Sequence, residues 1–280
     1  NSTDYTEEEE INEFYDTGYR LRLMLASPHE IIAFVIGLIA IILNVLVLAG
    51  LYVVRRPITT HYRLIISLAC ADIIVGTSMI CHQINHVLNP IYLVGGTLHE
   101  HERLVSRCSY LVIKSLNTIG LNVQLLNLAC MAIDHYVAIM KPLQYPILLR
   151  KKRVIFGIAM IWTISIILGY SDFLSALHLR LNYYKREFGY NYCEVVWMTR
   201  YQEEYTVLAI APFCFCLMLF TYIRIYIKVR RHRQPGVISH SERPGVRKAT
   251  KALITTLLNL GTFMITYLPL CFFQVILLIQ

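Results

Sequence analysis

The residues best suited to chemistry in this chain are Asp134, His135 and Tyr136, which close its third long apolar stretch. An acid, a base and an aromatic side chain follow one another, and a basic loop broken by Pro142 comes next. Charged groups where an apolar helix leaves a membrane are costly to keep, so they are functional by default. The trio therefore predicts a functional site at the end of a membrane helix.

The elements that position this trio are long apolar stretches. The chain has 280 residues, of which 56% are hydrophobic and 16% charged, with a mean hydropathy of +0.52. A soluble domain would carry about 25% charged residues, whereas a helix of about 20 apolar residues crosses a membrane. After a polar tail at 1–30, the bundle at 31–280 is expected to hold six helices, at about 31–54, 64–88, 105–140, 154–174, 205–229 and 249–279.

Charge predicts how these helices are oriented. Most of the 26 lysine and arginine residues lie between stretches one and two, after stretch three, and between stretches five and six. The positive-inside rule makes that side cytoplasmic, so the acidic amino-terminal tail is expected outside. The net charge of +8 then reflects topology, and nucleic-acid binding has little support.

Two cysteines and one sequon fall on the expected outer side. Cys108 precedes the core of stretch three, and Cys193 lies in the loop after stretch four. An oxidising compartment favours a disulfide between them, and two free thiols are the alternative. The sequence Asn1-Ser2-Thr3 predicts N-glycosylation at Asn1.

The order of motifs resembles the class A (rhodopsin-like) G-protein-coupled receptors along nearly the whole chain after residue 26. The motifs that carry the resemblance are Asn44, Asp72, the Asp134-His135-Tyr136 group, Trp162, Tyr222 with its basic extension, and Tyr267-Leu268-Pro269. The resemblance implies an all-α membrane protein, a seven-transmembrane helix bundle of which six helices are present. Because the sequence starts at Asn1 and stops at Gln280 inside an apolar run, we expect a trimmed or truncated chain.

Several departures from the family pattern make this an orphan-like member. His135 stands where the family has arginine, and Tyr267 stands where it has tryptophan. Pro212 precedes Tyr222 by ten residues rather than the usual eight, and Cys108 is two residues farther from the motif than is typical.

The resemblance implies a multi-pass plasma-membrane receptor, not an enzyme, that passes an extracellular signal or basal activity to heterotrimeric G proteins. The residues expected to couple are Asp134, His135, Tyr136, Tyr222, Lys248 and Lys251. With no motif arginine, and no acid at the start of stretch six, an inactivating salt bridge between these helices cannot form. We therefore expect appreciable ligand-independent activity.

The resemblance also implies a ligand pocket toward the outer side, with the ligand itself unknown. The residues expected to line it are Asn117, Thr118, Leu121, Asn122, Glu194, Trp197 and Tyr267. A receptor for monoamines would have a carboxylate where Asn117 stands, so a non-aminergic receptor is expected. Hydrogen bonds between helices are the alternative role for Asn117 and Asn122.

A buried sodium site is the one metal site implied, and no other cofactor is expected. Asp72, Asn44 and Gln124 would form it, because a carboxylate in mid-membrane needs a cation, a proton or strong donors. Gln124 is bulkier than the serine usual there, and a hydrogen-bonded structural aspartate is the alternative.

Two other classes of membrane protein fit this sequence less well. A transporter or channel would favour internal repeats and broken helices, but no repeat is present and only Pro212 and Pro269 interrupt spans. An intramembrane enzyme would need a catalytic motif. His82 and His86 lie four residues apart, but no acid accompanies them as in a zinc protease.

Overall fold

The described part of the chain is mostly helical. The computed structural model describes residues 28–53, 59–88, 100–171, 203–232 and 261, and none of these forms a strand. The helices are α1 (Pro28–Val53), α2 (Thr60–Leu88), α3 (Glu100–Met140), α4 (Tyr145–Leu148), α5 (Lys151–Gly169) and α6 (Glu203–His232). The all-α prediction is confirmed.

Five of these helices, α1, α2, α3, α5 and α6, are long and apolar enough to cross a membrane. They correspond to the first five apolar stretches of the sequence. Helix α5 ends at Gly169 and a turn follows at Tyr170, while the expected end at 174 lies outside the described residues. The expected sixth helix at 249–279 lies outside the described residues except for Gly261, and so does most of the amino-terminal tail.

The loop after α3 contains a helical turn, α4, that the sequence did not predict. Pro146 lies in its first turn, where a proline is tolerated because the missing N–H would have no partner in the helix. The Arg153 side chain on α5 donates from Nη1 to the carbonyl oxygens of Ile147 and Leu148, at 3.3 and 3.5 Å. The hydroxyl of Thr60 donates to the carbonyl oxygen of Leu149 at 3.3 Å. These bonds attach α4 to the starts of α2 and α5.

The chain divides into two compact units, and the first contains α1, the later part of α2 and the first half of α3. There α1 and α2 approach closely through glycines. A Cβ atom added at Gly76 would lie 2.8 Å from the backbone oxygen of Gly37, and one added at Gly37 would lie 3.0 Å from that of Gly76. Small residues at such crossings allow membrane helices to come into backbone contact.

The second unit contains the start of α2, the later part of α3, most of α5 and helix α6. Its core is formed by α3 and α6, whose apolar residues recur at helical spacing on the facing sides. The buried residues of this core are Leu125, Leu128, Ala129, Ala132, Ala211, Cys214, Met218, Tyr222 and Ile225. The other face of α6 exposes large apolar residues such as Phe213 and Phe220, as a helix facing lipid does.

One hydroxyl group in the second unit joins three helices. The Ser67 Oγ on α2 accepts a hydrogen bond from Asn127 Nδ2 on α3 at 3.1 Å. It accepts another from the indole Nε1 of Trp162 on α5 at 3.0 Å. Trp162 thus has a direct role in holding α5 against α2.

Candidate functional site

The acid and the base predicted to be functional lie in the last turns of α3, and both are buried. Asp134 is 4% exposed and His135 is 7% exposed, whereas Tyr136 is partly buried against the core of the second unit. A carboxylate held at this depth needs polar partners. Its partners therefore define the site.

Two side chains from other elements reach the Asp134 carboxylate. The Tyr145 hydroxyl on α4 donates to Oδ1 at 2.9 Å. On the other side, Nδ1 of His61 on α2 lies 3.7 Å from Oδ2. The carboxylate thus stands between α2 and α4, each facing one of its oxygens.

The Tyr145 phenol is held in its protonated, donating form. Burial raises the pKa of Tyr145 to about 12, and the adjacent charge of Asp134 and the hydrogen bond to it act in the same direction. A smaller opposing effect comes from a hydrogen bond with Thr60. The contact between α4 and α3 is therefore independent of pH over the neutral range.

His61, which the sequence did not single out, completes a cluster with the two predicted residues. Its ring lies beside that of His135, with centroids 5.2 Å apart and planes tilted by 48°. One ligating atom from each of His61, Asp134 and His135 falls within 4.8 Å of the others. No local pattern marks His61, because only the packing of α2 against α3 brings it here.

A cavity of about 140 Å³ adjoins this cluster. Its lining is mostly apolar and comes from α2, α3 and α5, while Asp134, Thr60 and Arg153 supply polar atoms. The Asp134 carboxylate therefore borders a void as well as its two side-chain partners.

Helix α6 contributes two contacts at the same end of α3. Tyr222, predicted to act in coupling, is 6% exposed and belongs to the α3–α6 core. Lys228 Nζ donates to the backbone oxygen of Met140, the last residue of α3, at 3.3 Å. A cation at the carboxyl end of a helix is favourable because the helix dipole is negative there. Lys248 and Lys251 lie outside the described residues.

Two of the predicted ligand residues, Asn117 and Thr118, make hydrogen bonds within the described helices. The Oδ1 of Asn117 accepts a hydrogen bond from Ser78 Oγ on α2 at 3.1 Å. Thr118 is buried and donates to the backbone oxygen of Lys114, one turn earlier. The bond to Asn117 joins two helices, which is the alternative role expected for it.

The remaining predicted ligand residues divide between buried positions and undescribed ones. Leu121 is partly buried. Asn122 is fully buried, and its side-chain amide has no hydrogen-bond partner among the described residues. Glu194, Trp197 and Tyr267 lie outside the described residues.

The predicted sodium site stays a prediction. Asn44 donates its side-chain amide to the backbone oxygen of Ala40 at 2.9 Å, and Asp72 is partly buried. Gln124 belongs to the second unit, whereas Asn44 and Asp72 belong to the first.

Among the described cysteines, Cys108 is disulfide-bonded and five others are free. Its partner lies outside the described residues, as do Cys193 and Asn1. Pairing of Cys108 with Cys193, and glycosylation of Asn1, stay predictions.

The comparison with known proteins agrees with the helices of membrane-spanning length. The family model described as "7 transmembrane receptor (rhodopsin family)" matches residues 43–280. The chain therefore belongs to the rhodopsin family of seven-transmembrane receptors.

Three individual relatives are 24–29% identical to this chain. The human histamine H2 receptor is 29% identical over 246 residues, covering 82% of this chain and 64% of that receptor. The rat histamine H2 receptor is 28% identical over 249 residues, with the same coverage. The octopamine receptor beta-2R of Chilo suppressalis is 24% identical over 224 residues, covering 78% of this chain and 52% of that receptor. The chain thus spans less than two thirds of the length of these relatives.

Family membership decides several of the sequence-based predictions. It confirms the class A assignment and fits the seven-helix bundle, and it does not favour a transporter or channel. The family is one of receptors rather than enzymes, and its members together with the apolar helices identify a multi-pass plasma-membrane protein.

Proposed function

We propose that this chain is a receptor that activates heterotrimeric G proteins in response to an extracellular signal or without one. The observation that carries the proposal is the family match over residues 43–280. The polar end of α3 supports it, because contacts from α2, α4 and α6 all converge there. Coupling is then a shift in population between two packings of these helices.

The residues that we assign to coupling surround this end of α3. They are Asp134, His135, Tyr136, Tyr222, Lys248 and Lys251. His135 has the central place, because the family's arginine would stand there. A neutral imidazole offers one donor, whereas a guanidinium group offers five and a permanent charge. His135 therefore contacts a G protein without the charge-assisted bonds of a typical member.

We propose that the receptor is active without ligand. No arginine at position 135 is available to pair with an acid on the sixth helix, and residues 247–251 contain no acid. The Asp134 carboxylate instead lies beside His61 on α2 and accepts a hydrogen bond from Tyr145 on α4. Tyrosines and Trp197 in the second outer loop are candidates for a built-in activator.

The ligand that we propose is not a monoamine. Although relatives are named as histamine and octopamine receptors, Asn117 supplies an amide where a monoamine receptor would have a carboxylate. An amide gives an ammonium group no opposite charge. The hydrogen bond from Ser78 further occupies the Asn117 oxygen.

The experiment that tests these proposals is nucleotide exchange on purified G proteins. The full chain is reconstituted in lipid nanodiscs and mixed with one α-subunit of each G-protein class plus βγ. We expect exchange on at least one class without ligand, and no increase with histamine or octopamine. Empty nanodiscs and an α-subunit without its carboxyl-terminal helix are the controls. Exchange at the control level on every class would disprove ligand-independent activity, and stimulation by either amine would disprove the non-aminergic assignment alone.

We also propose that the amino terminus is extracellular, with the basic loops in the cytoplasm. The clustering of lysine and arginine on one side supports this orientation. Glycosylation at Asn1 and the Cys108–Cys193 disulfide belong to the same proposal.

A further inference from the structure

Three side chains that commonly bind metal ions meet at the end of α3. His61, Asp134 and His135 each offer a ligating atom, and these atoms lie within 4.8 Å of one another. Within the described ranges this is the one such group of three. We propose that His61, Asp134 and His135 form a binding site for a divalent transition metal ion of the zinc type.

The distances in the cluster are close to those of a zinc site. Zinc binds imidazole nitrogen and carboxylate oxygen at about 2.0–2.2 Å, so neighbouring ligands of a tetrahedral ion lie about 3.3–3.5 Å apart. His61 Nδ1 and Asp134 Oδ2 are already 3.7 Å apart. The other two sides of the cluster involve His135 and are no longer than 4.8 Å, so the His135 imidazole must move inward to complete the site.

The chemistry of the three ligands selects the kind of ion. Two imidazoles and one carboxylate suit zinc and its neighbours, whereas calcium and magnesium prefer sites built entirely from oxygen atoms. Three protein ligands leave the fourth position of a tetrahedral ion for water. The site therefore discriminates against the abundant alkaline-earth cations.

A neighbouring hydrogen bond orients the Asp134 carboxylate for metal binding. Tyr145 donates to Oδ1 of Asp134 and leaves Oδ2 on the side of His61. Hydrogen bonds of this kind orient metal ligands and strengthen binding. Asp134 and His135 are buried, whereas the His61 side chain is 28% exposed and gives an ion access from outside.

This inference goes beyond the proposed function and does not depend on it. Metal binding is measured on the purified chain without any G protein. A chain that failed to couple could still bind zinc, and the reverse also holds.

The direct test is competition between the full purified chain and a fluorescent zinc indicator, after removal of metal with a chelator. Wild type is compared with His61→Ala and His135→Ala. The matched control is His82→Ala, since His82 lies in the first unit beside Tyr110. Loss of a residue that only orients a ligand weakens binding by about 10–100-fold, so loss of a ligand should cost about tenfold or more. We expect that loss in both cluster variants and none in the control.

A second pair of variants separates ligation from folding. Cysteine is itself a zinc ligand, so His61→Cys and His135→Cys should keep zinc affinity within about tenfold of wild type. With cobalt in place of zinc, each should gain a thiolate-to-metal charge-transfer band that wild type lacks at this site. Equal zinc affinity in wild type and both alanine variants, or cobalt spectra unchanged by the cysteines, would overturn the proposal.

Discussion

Histidine in place of arginine at position 135 changes what the end of α3 can offer a partner. The imidazole is buried beside His61 rather than extended from the helix as a charged group. Histidine is mostly neutral at cytoplasmic pH, so this position contributes little charge to coupling.

The first prediction follows from that difference. Replacing His135 with arginine should strengthen coupling by restoring five donors and a permanent charge. His135→Ala should weaken coupling less than loss of the arginine does in a typical member. The measurement is nucleotide exchange at matched amounts of receptor, with His82→Ala as control. Equal exchange by wild type, His135→Arg and His135→Ala would show that the position carries no coupling energy.

The second prediction concerns the Tyr145 hydroxyl. Tyr145→Phe removes the hydrogen bond to Asp134 and leaves that carboxylate one donor short. A hydrogen bond to a charged group contributes about 1.5–3 kcal/mol, so the variant should unfold at a lower temperature. Tyr52→Phe is the matched control, because Tyr52 is 87% exposed. Identical melting of the two variants would rule out a structural role for the bond.

The pH dependence of the Tyr145 effect has a definite sign. The pKa of Tyr145 is raised to about 12, above the value of about 10 in an unfolded chain. The protonated phenol therefore contributes stability that is fully present below about pH 10 and is lost as pH rises through about 12. The difference between wild type and Tyr145→Phe should stay constant from about pH 6 to about pH 9.

At the scale of single residues, the sequence identified Asp134 and His135 but not the side chains that contact them. The two residues stand out because an acid and a base follow an apolar run directly. His61 and Tyr145 carry no such mark, since their roles depend on contacts between separate helices. A local sequence pattern shows that a residue is unusual, whereas only the packing of the helices shows which side chains it contacts.

At the scale of the helices, the apolar stretches predicted where the long elements lie. Length and hydropathy suffice for this, because a membrane imposes both. Helix α4 was missed because four residues are too few for a hydrophobic period, and Pro142 suggested a broken loop.

The third prediction tests the close approach of α1 and α2. Gly76→Ala places a methyl group 2.8 Å from the Gly37 backbone oxygen, so the helices must separate. Such overpacking costs about 1–3 kcal/mol. Gly50→Ala is the matched control, because nothing lies within 4 Å of its added Cβ atom. Thermal unfolding of the purified variants gives the measurement, and equal or higher stability of Gly76→Ala would contradict the prediction.

At the scale of the whole molecule, the order of motifs predicted the family although no single motif is decisive. Asn44 and Trp162 are ordinary residues when taken alone, and their order on successive apolar stretches makes them informative. The ligand could not be predicted in the same way. Two of the predicted pocket residues, Glu194 and Trp197, were expected in a loop, where no hydrophobic period indicates their positions. Asn117 accepts a hydrogen bond from Ser78.

The fourth prediction concerns the covalent link that joins distant parts of the chain. Cys108 is disulfide-bonded, and we expect Cys193 to be its partner. A disulfide that closes a long loop stabilises by about 2–4 kcal/mol, so Cys193→Ser should lower the unfolding temperature. Cys81→Ser is the control, because Cys81 is free. Mass spectrometry of non-reduced peptides should recover the 108–193 pair, and a peptide linking Cys108 to another cysteine would refute it.

The Ser67 hydroxyl has a consequence for the order in which the chain is assembled. Synthesis delivers α2 and α3 before α5, so Asn127 reaches Ser67 first and Trp162 arrives last. A chain interrupted before α5 therefore leaves this oxygen with one of its two donors. Arrival of the indole thus marks the moment during biogenesis at which α2, α3 and α5 have come together.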